Sequence, residues 1–329
     1  MKILVTGSAG HLGEALMRVL RAAGDQPLGL DIRTSKFTDC VGSITDRSFV
    51  SKCVAGCDAV VHTATLHKPH VGTHSRQDFV DTNVSGTLNL LEEAVAADCK
   101  AFIYTSTTST FGDAMRPAAG SPAVWVTETL KPEPKNIYGV TKVSAEDLCE
   151  LFHRNTGLAC LILKTSRFFL EEDDVKGQRE RFDDNNLKVN ELLYRRVDVA
   201  DVVTAHQLAI SKAREIGFDR FIISGDTPLQ PGDATALGTD AAAIVKTYVP
   251  EYVAQYQRRG WQMFPTLDRV YDSSHAQRKL GWQPTYTFAH AIEQLSKDQD
   301  YRSPLALKIG TKGYHDKAFT DGPYPTGSF

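Results

Sequence analysis

Tyr138 and Lys142 lie four residues apart in a segment whose apolar spacing predicts a helix over residues 137–155. Residues at that interval share a helix face. An ammonium beside a phenol favours the phenolate and lowers its pKa from about 10. Such a tyrosine suits removal of a proton from a substrate hydroxyl. A run of hydroxyls comes earlier, Tyr104-Thr105-Ser106-Thr107-Thr108-Ser109-Thr110-Phe111-Gly112, leaving a predicted strand over 101–104. Ligands bind at that carboxyl end in open α/β sheets, where a hydroxyl can hold the reacting oxygen.

The third group of chemical interest is Gly7-Ser8-Ala9-Gly10-His11-Leu12-Gly13, between an apolar run at 3–5 and a helical pattern through Leu12, Ala15, Leu16, Val19 and Leu20. Strand, glycines, then helix is the context of a dinucleotide-binding loop. Gly7 allows the tight turn, Gly10 lets the backbone approach a pyrophosphate, and Gly13 lets the helix pack close to the strand. The N–H groups and positive dipole end of the helix favour phosphate. Asp31 ends a second predicted strand at 28–30. A carboxylate there accepts from an adenosine ribose and repels a 2′-phosphate, which favours NAD over NADP.

The elements that must position these groups alternate along the chain. Short strands are expected at 3–5, 28–30, 40–41, 59–62, 101–104, 159–163 and 221–223. Helices are expected at 12–23, at 82–97 with its stripe Val84, Leu88, Leu91 and Val95, and at 137–155. The alternation argues for a doubly wound parallel sheet with helices on both faces. Residues 1–166 form the dinucleotide-binding domain, with 195–225 returning to the sheet. Residues 167–194 and 226–329 form a smaller substrate-binding region and tail. The charge-dense stretch 171–186 reads as a solvated loop that also borders the cleft, and 308–329 as an irregular, partly mobile tail.

Composition narrows the function classes. The 329 residues are 42% hydrophobic and carry a net charge of −3, so nothing argues electrostatically for nucleic acid or an anionic membrane surface. No apolar run is long enough to span a bilayer and no secretory signal is evident, so a cytoplasmic protein is expected. The six cysteines read as reduced thiols without zinc-ligand spacing, and no metal is expected. His67, His70 and His74, with His62 before them, read as polar groups facing the substrate or as loop histidines.

Together these residues resemble the extended short-chain dehydrogenase/reductase family, in its NAD-dependent epimerase/dehydratase branch. The glycine motif falls on Gly7, Gly10 and Gly13, the hydroxyl position of S-[ST]-x-x-x-[YF]-G on Thr107, and Y-x-x-x-K on Tyr138 and Lys142. Gly42-Ser43-Ile44-Thr45-Asp46 looks like G-D-[IL]-x-D, with serine in place of aspartate. His62-Thr63-Ala64-Thr65 matches H-x-A-A, and Asn83-Val84-Ser85-Gly86-Thr87 matches N-V-x-G-T. Residues 195–202 and Leu280-Gly281-Trp282-Gln283-Pro284 match two later motifs.

The resemblance implies a Rossmann-type fold and NAD-dependent hydride transfer at a secondary alcohol or ketone of a sugar or related polyol. It makes Tyr138 the base, Lys142 the group that lowers its pKa and holds the nicotinamide ribose, and Thr107 the group that orients the oxygen. Cofactor contacts are implied for Gly7, Gly10, His11, Leu12 and Gly13 around the pyrophosphate. They are implied for Asp31, Ser43 and Ile44 at the adenosine, and for Thr63, Ala64, Thr65 and Asn83 along the remainder. Substrate-side candidates are His67, Thr108, Arg167, Phe169 and Arg196.

Dehydratases of the branch carry Thr-Asp-Glu where this chain has Thr107-Thr108-Ser109, which argues against dehydration. Its nucleotide-sugar epimerases carry R-x-F-N where this chain has Arg167-Phe168-Phe169-Leu170. The missing asparagine and the acidic run 171–174 disfavour a diphosphate, although Arg167, Arg195, Arg196 and Arg269 offer compensation. An NAD(P)H-dependent ketone reductase is disfavoured by Asp31, and a dinucleotide-binding regulator without turnover by Tyr138 and Lys142. A homodimer is expected by analogy, through the helices that carry Asn83 and Tyr138.

Overall fold

The computed structural model describes residues 1–313, 315, 319 and 322–324. Seven parallel strands form the central sheet: β1 (Lys2–Thr6), β2 (Gln26–Asp31), β3 (Cys40–Val41), β4 (Ala59–His62), β5 (Ala101–Thr107), β7 (Cys160–Thr165) and β8 (Phe218–Ile223). Their spatial order is β3-β2-β1-β4-β5-β7-β8. The order reverses between β1 and β4, and a cleft opens at the carboxyl ends of the strands beside such a reversal.

The strands are apolar almost throughout because both faces are covered. Ile3 and Val5 join Val61, Ile103 and Leu161 in one core, against α1 (His11–Ala22) and the later helix Val199–Ile216. Leu4, Val60, Phe102 and Ile162 face the other way, against α2 (Arg47–Val54), α3 (Gly86–Ala96) and α4 (Ile137–Thr156). Successive strand residues alternate between the two cores, as the period of two requires. Trp282 is fully buried and donates its indole N–H to the Asp201 carbonyl at 2.9 Å, fastening the Val199–Ile216 helix to the C-terminal region.

A separate core gathers Leu187, Leu193, Leu229, Val245, Phe264, Phe288 and their neighbours beside the sheet. Two strands not anticipated from sequence belong to this side: β6 (Val124–Val126) pairs in parallel with β9 (Arg269–Tyr271). Three residues in a proline-rich stretch are too few to show a period.

Three sequence expectations need correction. The helix over 82–97 opens with a π-type turn at Val80–Ser85. Its wider spacing shifts the phase of the α-helical turns after it. The buried face is therefore Asn83, Thr87, Leu90, Leu91 and Ala94, while Val95 is 37% exposed. The stretch 171–186 is not simply solvated: Glu171, Asp173 and Asp174 are buried, each against a basic group. Of the tail expected to be irregular, Lys308 still belongs to the helix Pro304–Ile309. Lys312, Gly313 and Tyr324 border the cleft, and residues 314, 316–318, 320–321 and 325–329 lie outside the described residues.

Candidate active site

The cleft has a volume of about 590 Å³ and runs from the glycine loop to the β6–β9 side. Gly7 has a φ of +72°, and a Cβ on Gly13 would collide with the Gly7 carbonyl oxygen. The loop is thus closed tightly under α1. Gly10 stands at the N-cap of α1 with no side-chain cap, so the first turn presents its donors to the cleft. Asp31 receives the Ala9 N–H at 2.9 Å and the Arg33 N–H at 2.9 Å, one on each oxygen. Each carboxylate oxygen keeps acceptor capacity for a ribose hydroxyl. These features fit a dinucleotide.

Ser43 and Ile44 line the same end, where Ile44 packs so closely on Gly86 that a Cβ there would lie 2.7 Å away. His11 and Leu12 line the cleft at the start of α1. His11 also pairs its Nε2 with Glu171 at 2.6 Å. The same Glu171 oxygen accepts from the backbone N–H groups of Lys312 and Gly313, so three segments meet over the glycine loop.

Thr63, Ala64 and Thr65 line the cleft on the segment after β4. Thr6 holds that segment, its Oγ1 accepting from both the Thr63 and Ala64 N–H groups at 3.1 Å. His62 lies behind and is a core residue, 1% exposed, neither facing the substrate nor on a loop as the two sequence readings had it. Thr87 spends its proton on the Asn83 carbonyl, so His62 Nε2–H donates to Thr87 and Nδ1 accepts from Thr6. Burial keeps this imidazole far below its usual pKa, hence neutral.

Asn83 does not line the cleft, contrary to its expected cofactor contact. It is 1% exposed, accepts from the Leu66 N–H and donates to the Leu66 carbonyl and Thr141 Oγ1. Its amide therefore clamps the cleft wall to α4. His67 and His70 do line the cleft, their rings 4.7 Å apart; His74 does not. Among the described residues no group of three His, Cys, Asp or Glu is arranged to hold a metal.

Thr107, Tyr138 and Lys142 meet at the centre. The β5 strand ends at Thr107, and the Asn136 side chain caps α4 just before Tyr138. Burial pushes the Tyr138 phenol up to about 12, against a hydrogen bond from Thr107 that lowers it. The contacts of the Lys142 ammonium are with β5 rather than with the Tyr138 phenol. Its Nζ donates to the Thr105 carbonyl at 2.7 Å and sits 4.1 Å from the centre of the Tyr104 ring. Burial lowers this lysine to about 7, partly offset by Glu146 one turn on.

Glu146 is a residue that sequence reasoning missed. It is 2% exposed, accepts from Ser106 Oγ, and pairs with Lys164 Nζ at 2.6 Å. Lys164 also donates to Thr110 at 2.9 Å. One carboxylate thus ties α4 to the end of β5, to β7 and to the turn after Thr107. Its position four residues after Lys142 was the available signal.

On the substrate side, Thr108, Arg167 and Phe169 line the cleft. Arg196 does not. It is 5% exposed, its Nε bonded to Glu191 at 2.8 Å and its Nη1 to the Phe169 carbonyl. A guanidinium held on both sides is a strut rather than a receptor. Arg167 is bound to Asp173 and, at 2.9 Å, to Asp174, with Glu191 at 3.4 Å. Arg195 lines the cleft and pairs with Glu191 at 2.7 Å.

A doubly wound sheet with a glycine loop at its switch point is the architecture of a dinucleotide-binding α/β protein. The model of the NAD dependent epimerase/dehydratase family matches residues 3–223, and the chain belongs to that family, whose cofactor is NAD. It is similar to a UDP-glucose 4-epimerase of Rhizobium meliloti, 26% identical over 328 residues that take in 88% of this chain and 94% of the relative. An L-arabinose 1-dehydrogenase (NAD(P)(+)) of Haloferax volcanii is 30% identical over 191 residues, 56% of this chain and 72% of that one. Among solved structures, a short-chain dehydrogenase/reductase superfamily protein from Agrobacterium tumefaciens with bound NAD superposes with a TM-score of 0.65 at 21% identity, covering 90% of this chain and 96% of its own. The UDP-N-acetylglucosamine 4-epimerase of Bacillus cereus gives a TM-score of 0.62 at 21% identity, covering 90% and 97%.

Proposed function

We propose that this enzyme oxidises a secondary alcohol of a sugar or related polyol, releasing the ketone or returning it as the epimer. The carrying observation is that Thr107, Tyr138 and Lys142 line the same cleft as the glycine loop. A bound NAD supplies hydride acceptance and return. Tyr138 Oη takes the proton of the substrate hydroxyl, and Thr107 holds the same oxygen. Buried Lys142 supplies the positive charge that favours the phenolate when protonated.

The names of the relatives include both a 4-epimerase and a sugar 1-dehydrogenase, which support this reaction type without choosing between net epimerisation and net oxidation. The test is NADH formation, or epimer exchange followed by NMR, across sugars, uronates and sugar nucleotides. Tyr138→Phe is expected to lose about 10²–10⁴-fold in kcat, with NAD affinity and unfolding temperature retained. Full activity in that variant would sink the mechanism.

We further propose a homodimer in which α3 and α4 pack on their copies. Val95, Val140 and Leu151 are exposed on these two helices. Exposed apolar groups gathered on adjacent helices suit a partner surface.

A further inference from the structure

We propose that the substrate is a free polyhydroxylated sugar rather than a nucleoside-diphosphate sugar, and that the Ser166 hydroxyl is one of the groups that selects it. The inference rests on the hydride-transfer reading above and deepens it.

A diphosphate linker brings two negative charges that the protein must meet with cations or unpaired donors. The start of α1 serves one pyrophosphate, that of the cofactor. At the substrate end four cations are already paired with carboxylates, although the Nε of Arg195 has no partner among the described residues. Arg167 is held by Asp173 and Asp174, Lys68 by Asp174, and Arg195 and Arg196 by Glu191. Burial alone would raise the Glu191 carboxyl, yet Arg195, Arg167 and Arg196 hold it at about 2. Lys68 and Arg167 likewise hold Asp174 well below the usual carboxylate range, against burial. Both carboxylates stay ionised in any working buffer. A diphosphate placed on these arginines would lie beside buried like charge, and displacing the carboxylates would leave them unpaired. Tyr324 is 4% exposed and packs into the same corner, interacting with Asp174 and Arg167. Of the remaining cations at this end of the wall, Arg269 is paired at 2.8 Å with its neighbour Asp268, and Arg116 and Lys135 stand exposed at the mouth, where single charges contribute little.

What the wall offers instead is hydroxyl groups. Ser166 lines the cleft next to Arg167 and is 3% exposed. Its N–H donates to the Ile223 carbonyl at 2.9 Å, which fixes the backbone between β7 and β8. Its Oγ has no hydrogen-bond partner among the described residues. A buried hydroxyl without a partner costs stability, and a ligand hydroxyl relieves that cost. A serine both donates and accepts, which suits the hydroxyl of a sugar in either direction.

Because Ser166 Oγ bonds nothing among the described residues, Ser166→Ala is expected to fold and to bind NAD as the native chain does. The experiment uses NAD-saturated protein and saturation-transfer NMR with four probes: UDP, UDP-glucose, D-galactose and D-glucuronate, each at millimolar concentration. We expect transfer to at least one free sugar, neutral or acidic, and none to UDP or UDP-glucose. For the sugar that binds, Ser166→Ala is expected to raise KM by about tenfold with kcat little changed, the loss of one hydrogen bond. Micromolar binding of UDP, or turnover of UDP-glucose, overturns the substrate class while leaving hydride transfer intact. No transfer to either free sugar also overturns it. An unchanged KM in Ser166→Ala overturns the role of Ser166. Binding of a free sugar without NADH formation or epimer exchange overturns the hydride-transfer reading alone.

Discussion

Tyr138 and Lys142 show how far spacing reaches and where it stops. The interval of four placed both side chains on one wall of the cleft, but burial sets their protonation. Tyr138 is pushed up to about 12 and Lys142 down to about 7. For Lys142 this has a consequence for stability in the cofactor-free protein. Between about pH 7 and the unfolded value near 10.4, the unfolded chain holds a proton that the native lysine does not. Stability from this group therefore rises with pH across that window, and below it the buried ammonium is a constant cost. Thermal unfolding of the native chain and of Lys142→Met at several pH values checks this. The native chain should gain stability relative to the variant between about pH 7 and 10. A flat difference would show that Lys142 titrates normally. His62 makes the complementary point: the sequence left it open between a substrate-facing and a loop histidine, and only its bonds to Thr6 and Thr87 reveal a support for the Thr63–Ala64 backbone.

At the scale of elements, the site is made by strand ends and helix starts brought together by a few buried polar ties. The end of β5 is fixed to α4 through Ser106 and Glu146, and Glu146 is fixed to β7 through Lys164. Removing one partner of a buried ion pair leaves the other charge uncompensated. Glu146→Ala is accordingly expected to cost about 3–5 kcal/mol by denaturant unfolding. The double change Glu146→Leu with Lys164→Met should cost much less, since both charges go together. Equal losses in the two variants would mean that volume, not charge, is what matters there. Asn83 works similarly, joining the segment at Leu66 to Thr141 of α4. Its position in the N-V-x-G-T motif was legible; its action through the cleft wall was not. The π-type turn at Val80–Ser85 also escaped the sequence, because an apolar stripe assumes an unbroken helical phase.

Across the whole molecule, α3 and α4 leave Val95, Val140 and Leu151 exposed. If these form the proposed dimer surface, Val140→Lys should shift the mass measured by light scattering from two chains to one without unfolding the protein. A native chain that runs as a monomer at all concentrations rules that surface out. The seven strands of the central sheet and three of the helices between them, the glycine loop under α1, Asp31 at the end of β2, and the placing of Thr107, Tyr138 and Lys142 on the cleft were legible in the amino-acid string. Each of these is a matter of local period or short spacing, which neighbouring residues enforce. Tertiary packing was needed for the ionisation of Tyr138 and Lys142, the withdrawal of Asn83 and Arg196 from the cleft, and the pairing of Arg167 with Asp173 and Asp174. The contacts behind ionisation and withdrawal join residues far apart in the chain. Where they are near, as with Arg167 and its aspartates, the outcome depended on which charges the packed core excluded from water.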